Sequence, residues 1–120
     1  MQKYTVKPLL FESLHVISTK TIEIHYAKLY QGYVNKTNEI LEKLQAADLT
    51  AANQTYSEVG ELKRQLSFAW NGVVLHEAYF DNLGGKGEAN GSIAKALEEK
   101  YGSVEKFINY FKACGMAARG

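Results

Sequence analysis

The sequence predicts an all-α fold: a long antiparallel α-hairpin, two shorter helices and an extended N-terminal arm. Three observations carry this. The only proline is Pro8, and most of the glycines lie beyond residue 80, so nothing between residues 18 and 83 forces a helix to break. Apolar residues recur there at spacings of three, four and seven, the stripe of an amphipathic helix. The β-branched residues are scattered rather than alternating, which argues against strands.

Composition narrows the function classes. The 120 residues form one expected helical domain, 1–120, long enough to bury a core. Apolar residues make up 46% and charged residues 22%, the balance of an ordinary globular chain. The net charge is +1 with both signs interspersed, so no basic stripe suggests nucleic acid. No run approaches the ~18 apolar residues of a membrane span. The first residues, MQKYTVKPLL, lack a signal-peptide core. Cys114 is the only cysteine and cannot form an internal disulfide, so a reducing, cytoplasmic location is expected.

Residues 1–17 read as an extended arm that docks on the helices, with His15 as a partly exposed loop histidine. Residues 18–84 read as the hairpin. Ser18 or Thr19 caps its first helix, because a side-chain oxygen there accepts from a free backbone N–H. Ile22, Tyr26, Leu29, Tyr33, Ile40, Leu41 and Leu44 form its stripe, which runs to about Ala46. Gly32, mid-helix, predicts a close helix crossing at that point. DLTAAN (48–53) is the connector. A second helix begins near Thr55 or Ser57 with Glu58 in its first turn, carries Leu62, Leu66, Ala69, Val73, His76, Phe80 and Leu83, and stops at Gly84–Gly85. Residues 85–120 hold a glycine-rich loop and two short helices, one capped by Ser92 and closed by Gly102, the other capped by Ser103. The loop GGKGEANG lacks the GK[ST] sequence and the preceding strand of a phosphate loop.

Two histidines stand where core residues belong. His25 and His76 are equidistant from the connector's midpoint at Thr50/Ala51, so an antiparallel hairpin places them at one height. The same symmetry pairs Tyr33 with Phe68, Leu29 with Gly72 and Tyr26 with Leu75, and Gly72 opposite Leu29 would also let the backbones approach there. Imidazoles on facing apolar stripes must replace lost water, and a shared metal ion does so for both at once. Spacing alone divides evenly between that reading and two hydrogen-bonded core histidines. Two ligands do not complete a catalytic metal site. Glu77 and Asp81 lie within about a turn of His76 but off its face. No Glu-x-x-His pair marks a di-iron bundle, and Cys114 has no neighbouring histidine to activate a thiolate. Tyr33, two turns from His25 on the same face, can reach a bound water beside the metal.

These stretches resemble the iron/manganese superoxide dismutases. KYTVKPL resembles that family's N-terminal arm. TIEIHYAKLYQGYVN resembles its first long helix, where the resemblance places a metal ligand on His25 and the gateway tyrosine on Tyr33. WNGVVLHEAYFDNLGG resembles the second long helix, with a ligand at His76 followed by an aromatic pair, here Tyr79 and Phe80. KYGSVEKFINYFK is similar to a later helical segment. Departures from the pattern are Leu29, where a histidine linking active sites across the dimer is usual, and Val73, where another histidine is frequent. Gly72 stands where iron-type members often carry a metal-supporting glutamine and manganese-type members a glycine.

The resemblance implies superoxide as substrate and dismutation to oxygen and hydrogen peroxide. It implies one iron or manganese ion per complete site, cycling between trivalent and divalent states. It also implies a C-terminal α/β half that supplies an aspartate and a third histidine. Neither that motif nor that domain occurs in these 120 residues. The expected partners are therefore a C-terminal domain or a complementary chain, and a homo-oligomer. The alternative is a non-catalytic helical module, metal-binding or self-associating, such as a fragment or one half of a split protein.

Overall fold

Ser18 starts the first long helix. Its Oγ accepts the N–H of Thr21 at 3.1 Å, occupying one of the free donors of the first turn. This helix, α1, covers residues 19–46. It is α-helical over Thr19–Glu23, π-helical over Ile24–Tyr30 and α-helical again over Gln31–Ala46. The computed structural model describes residues 3–119; Met1 and Gln2 of the expected arm, and Gly120, lie outside the described residues. The chain divides into two compact units, Met1–Gly84 and Gly85–Gly120.

In the first unit the connector is held by short polar side chains. Asp48 caps a 3-10 turn over Leu49–Ala51, and Asn53 Oδ1 accepts from the N–H groups of Thr55 and Tyr56. Ser57 then caps α2, Glu58–Asp81. Its hydroxyl accepts from Gly60 at 3.2 Å and donates to the Asn53 carbonyl at 3.0 Å. The second helix ends at Asp81, earlier than the expected stop at Gly84–Gly85. The amides of Asn82 and Leu83 reach back only three residues, to Tyr79 and Phe80. Gly84 follows with φ +84° under the Phe11 side chain, where a Cβ would stand 3.0 Å from the Cβ of Phe11.

The two helices run as an antiparallel hairpin around a small core of Tyr30, Val34, Val73 and Phe80. Val6, Leu9 and Phe11 of the extended arm pack against this core, together with Tyr26, Tyr33, Trp70 and Leu83. The arm is also laced to α1: Tyr4 donates its N–H to Asn38 Oδ1, and Asn38 Nδ2 donates back to the Tyr4 carbonyl, both at 2.9 Å. Each fully buried apolar side chain contributes about 1.5–3 kcal/mol. The exposed pairs Lys36–Glu39, Lys43–Glu39 and Arg64–Glu61 are of the kind that contributes about 0–1 kcal/mol. Packing, not surface charge, therefore holds the hairpin.

Of the two expected close approaches, the one at Gly72 is present and the one at Gly32 is not. A Cβ on Gly72 would sit 2.5 Å from the Tyr33 ring, whereas one on Gly32 would meet nothing within 4 Å. The expected pairing of Leu29 with Gly72 is thus replaced by Tyr33 against Gly72. Leu75 is 67% exposed, and Tyr26 meets Phe80 instead, ring edge to ring face at 5.7 Å. Tyr33 and Phe68 do pair, with ring centroids 6.0 Å apart.

The second unit holds α3, Gly91–Tyr101, and α4, Val104–Ala117. Helix α3 starts one residue before the expected cap Ser92, with Asn90 at the N-cap position. Gly102 closes it with φ +85°, and Ser103 Oγ caps α4 by accepting from Lys106 at 3.1 Å. Tyr101 packs against Phe107 and Tyr110, with ring centroids 5.2 Å and 5.6 Å away. Phe111 and Tyr110 remain exposed. Among the described residues no strand is present, and no helix is long and apolar enough to cross a membrane.

Candidate metal centre

His25 lies in the π-helical turn of α1. There the amide of Gln31 bonds the carbonyl of Tyr26, five residues back. This i+5 pattern brings residues five apart onto one face. His25 and Tyr30 are such a pair, and both rings stand within 6.4 Å of the His76 ring. A strictly α-helical stripe does not group them.

The two predicted histidines come together: the ring centroids of His25 and His76 are 6.0 Å apart, and both residues are half-buried. His76 Nδ1 lies 2.7 Å from the Gly72 carbonyl oxygen. A carbonyl only accepts, so Nδ1 carries the proton, and in the neutral ring Nε2 keeps a free lone pair. His25 makes no hydrogen bond to protein among the described residues. One imidazole thus has its proton-bearing nitrogen tied to the backbone, and a second half-buried imidazole stands beside it with no hydrogen bond to protein among the described residues.

This donor pair fits a metal ion. Metal–nitrogen bonds of about 2 Å allow two ring centres bound to one ion to be no more than roughly 6–7 Å apart, and the observed separation lies within that reach. Among the described residues no group of three His, Cys, Asp or Glu side chains could hold a metal ion. Glu77 follows His76 in sequence but is committed elsewhere. Its carboxylate accepts from the Tyr30 hydroxyl at 2.8 Å and pairs with the Lys7 ammonium. Asp81 lines a small cavity with Lys7, Pro8 and Glu77.

Aromatic side chains wall the pair. Tyr33 lies 5.4 Å from His76, ring centre to ring centre, and Phe80 6.1 Å. Tyr79 stands 6.4 Å from His25. Tyr30 lies nearly parallel to His76, at 18° and 6.4 Å. Tyr30 is 1% exposed, and burial pushes its hydroxyl pKa up to about 12, so it remains a protonated donor at neutral pH. Neither Tyr30 nor Lys7 was singled out from the sequence, and Tyr30 lies off the apolar stripe read for the first helix. The local signal in Tyr30 is a phenol at a fully buried position, which requires a hydrogen-bond partner.

Comparison with known proteins agrees with this architecture. Residues 4–84 match the family described as iron/manganese superoxide dismutases, alpha-hairpin domain. The chain is 47% identical over 114 residues to an iron superoxide dismutase of Aquifex pyrophilus, which covers 91% of this chain and 54% of that protein. It is 39% identical over 119 residues to an iron superoxide dismutase of Cupriavidus metallidurans, covering 98% of this chain and 59% of that one. A mitochondrial manganese superoxide dismutase of Glossina morsitans morsitans is 31% identical over 106 residues, covering 88% and 48%. The chain spans little more than half the length of iron superoxide dismutases such as those it matches here. With an all-helical hairpin matched over residues 4–84, the chain belongs to the iron/manganese superoxide dismutase family.

Proposed function

We propose that this chain supplies the helical half of the metal centre of an iron/manganese superoxide dismutase, with His25 and His76 as two of the metal's ligands. The observation that carries the reading is the His76 ring: Nδ1 is tied to the Gly72 carbonyl, and the His25 ring stands 6.0 Å away. A bound iron or manganese ion, alternating between trivalent and divalent states, supplies the one-electron chemistry that converts superoxide to oxygen and hydrogen peroxide. The chain's own residues do the positioning. The Gly72 carbonyl fixes the tautomer of His76. Phe80 and Tyr30, both buried, keep water from one side of that ring. Tyr33 is only half-buried, so its hydroxyl is free to orient solvent or superoxide and to hold a proton near the pair. The cytoplasm is the proposed location.

Two imidazoles leave the metal under-coordinated and its charge poorly balanced. The proposal therefore includes a complementary α/β half, within a longer chain or as a separate one, and a homo-oligomeric assembly. The 120-residue chain alone is expected to bind iron or manganese weakly and to show little dismutase activity, and adding the complementary half restores both. Metal content measured for the wild type, His25→Ala and His76→Ala tests the ligand assignment. Loss of metal in both variants supports it, and unchanged metal content in both refutes it. Robust turnover by the 120-residue chain alone overturns the expectation of a half-site.

A second reading, a non-catalytic module that self-associates, draws on exposed apolar side chains such as Phe68, Leu75, Phe111 and Met116. It requires association that is independent of both histidines and no dismutase activity on complementation.

A further inference from the structure

We propose that the N-terminal arm is a working part of the metal centre: Lys7, bridging both helices, holds Tyr30 as the wall that sets the orientation of the His76 ring. This rests on the metal-centre reading above.

Lys7 binds the hairpin through three of its groups. Its backbone N–H donates to the Tyr30 hydroxyl at 3.0 Å. Its backbone carbonyl accepts from the Tyr26 hydroxyl at 2.7 Å. Its ammonium pairs with Glu77 Oε2. Tyr30 completes the loop by donating to Glu77 Oε1 at 2.8 Å. The tyrosines belong to the π-helical turn that carries His25, and Glu77 is the neighbour of His76. One residue of the arm therefore joins the two turns from which the histidines project.

The geometry bears on His76 in particular. The ring has one hydrogen bond, from Nδ1 to Gly72, which leaves it able to swing about that contact. Tyr30, Tyr33 and Phe80, packed around the ring, limit the swing. Tyr30 is fixed at both lone-pair and proton ends of its hydroxyl, so its ring cannot tilt away without breaking two hydrogen bonds. Groups that orient a metal-binding imidazole typically change metal affinity 10–100-fold when removed. Tyr30, Glu77 and Lys7 act through His76 and are positioning residues.

The test is titration of the 120-residue chain with zinc(II) alone, read by the ring 15N chemical shifts of His25 and His76, with thermal unfolding measured in parallel. Tyr30→Phe removes the hydroxyl and keeps the ring. Lys7→Pro removes the N–H donor and the ammonium. Both are expected to weaken zinc binding about tenfold or more and to shift or broaden the His76 ring signals in the metal-free protein. Glu77→Gln keeps an acceptor oxygen for Tyr30 and is expected to lose less. Leu41→Ala, in the half of α1 distant from the histidines, destabilises the hairpin and serves as the control for stability alone. It is expected to leave zinc affinity unchanged. If Tyr30→Phe binds zinc as tightly as wild type, or if Leu41→Ala loses affinity equally, the positioning role is refuted. If wild type and His76→Ala bind zinc equally, the metal-centre reading itself fails, which is a separate result.

Discussion

Gly72→Ala isolates the close approach on which the Tyr33–His76 geometry depends. In a helix interior, alanine is favoured over glycine by about 0.8–1 kcal/mol. At Gly32 that gain is unopposed, because a Cβ there would meet nothing within 4 Å. At Gly72 the same Cβ would lie 2.5 Å from Cγ and Cδ1 of Tyr33 and 2.7 Å from Cε1. These are atoms near the root of a ring that itself packs on the core, so relief requires moving the ring or separating the helices. Overpacking of this kind costs about 1–3 kcal/mol. Gly32→Ala should therefore stabilise the hairpin by about 1 kcal/mol. Gly72→Ala should fall below it by about 1–3 kcal/mol, net neutral to clearly destabilised. Urea unfolding followed by helical circular dichroism measures both variants. With a slope of about 1–3 kcal/mol per molar, their midpoints should differ by roughly 1 M. The Tyr33 ring resonances should also move in Gly72→Ala and not in Gly32→Ala. If Gly72→Ala unfolds at the same or higher urea than Gly32→Ala, the clash does not exist and the Tyr33 placement against α2 is wrong.

Three further outcomes follow from single residues. Thr37 is wholly buried and its Oγ1 has no hydrogen-bond partner, so Thr37→Val should remove a desolvation cost of about 1–3 kcal/mol and raise the unfolding temperature; a lower one would mean the hydroxyl is satisfied. Ser57→Ala removes the α2 cap and its bond to the Asn53 carbonyl, and should cost about 1–2 kcal/mol in urea unfolding. Glu39, flanked by hydrogen-bonded Lys36 and Lys43, has its carboxyl pKa lowered from 4.5 to about 2. Because the folded value lies below the unfolded one, its stabilisation is present above about pH 4.5 and is lost as pH falls through about 2. A carboxyl titration by NMR checks this, and Glu39→Gln should flatten the acid side of the stability profile.

The sequence by itself determined the helices and their antiparallel course. Caps and periodicity are local: a serine hydroxyl reaches N–H groups two or three residues on, so Ser18, Ser57 and Ser103 could be read as helix starts. Gly102 could be read as a stop because a glycine adopts the left-handed φ of a helix end without help from distant residues. The near-symmetric connector put His25 and His76 at one height, and the structure sets their rings 6.0 Å apart. Tertiary structure decided what packs between and behind the helices. Gly32 and Gly72 look alike in sequence, and only the Tyr33 ring across the interface tells them apart. The π-helical turn shifts the phase of α1 in a way no residue pattern announced. Lys7, Tyr30 and Glu77 are spread over 70 positions, and their shared network exists only once the arm lies across both helices. Side-chain partners at such separation are set by packing, which local propensity does not encode.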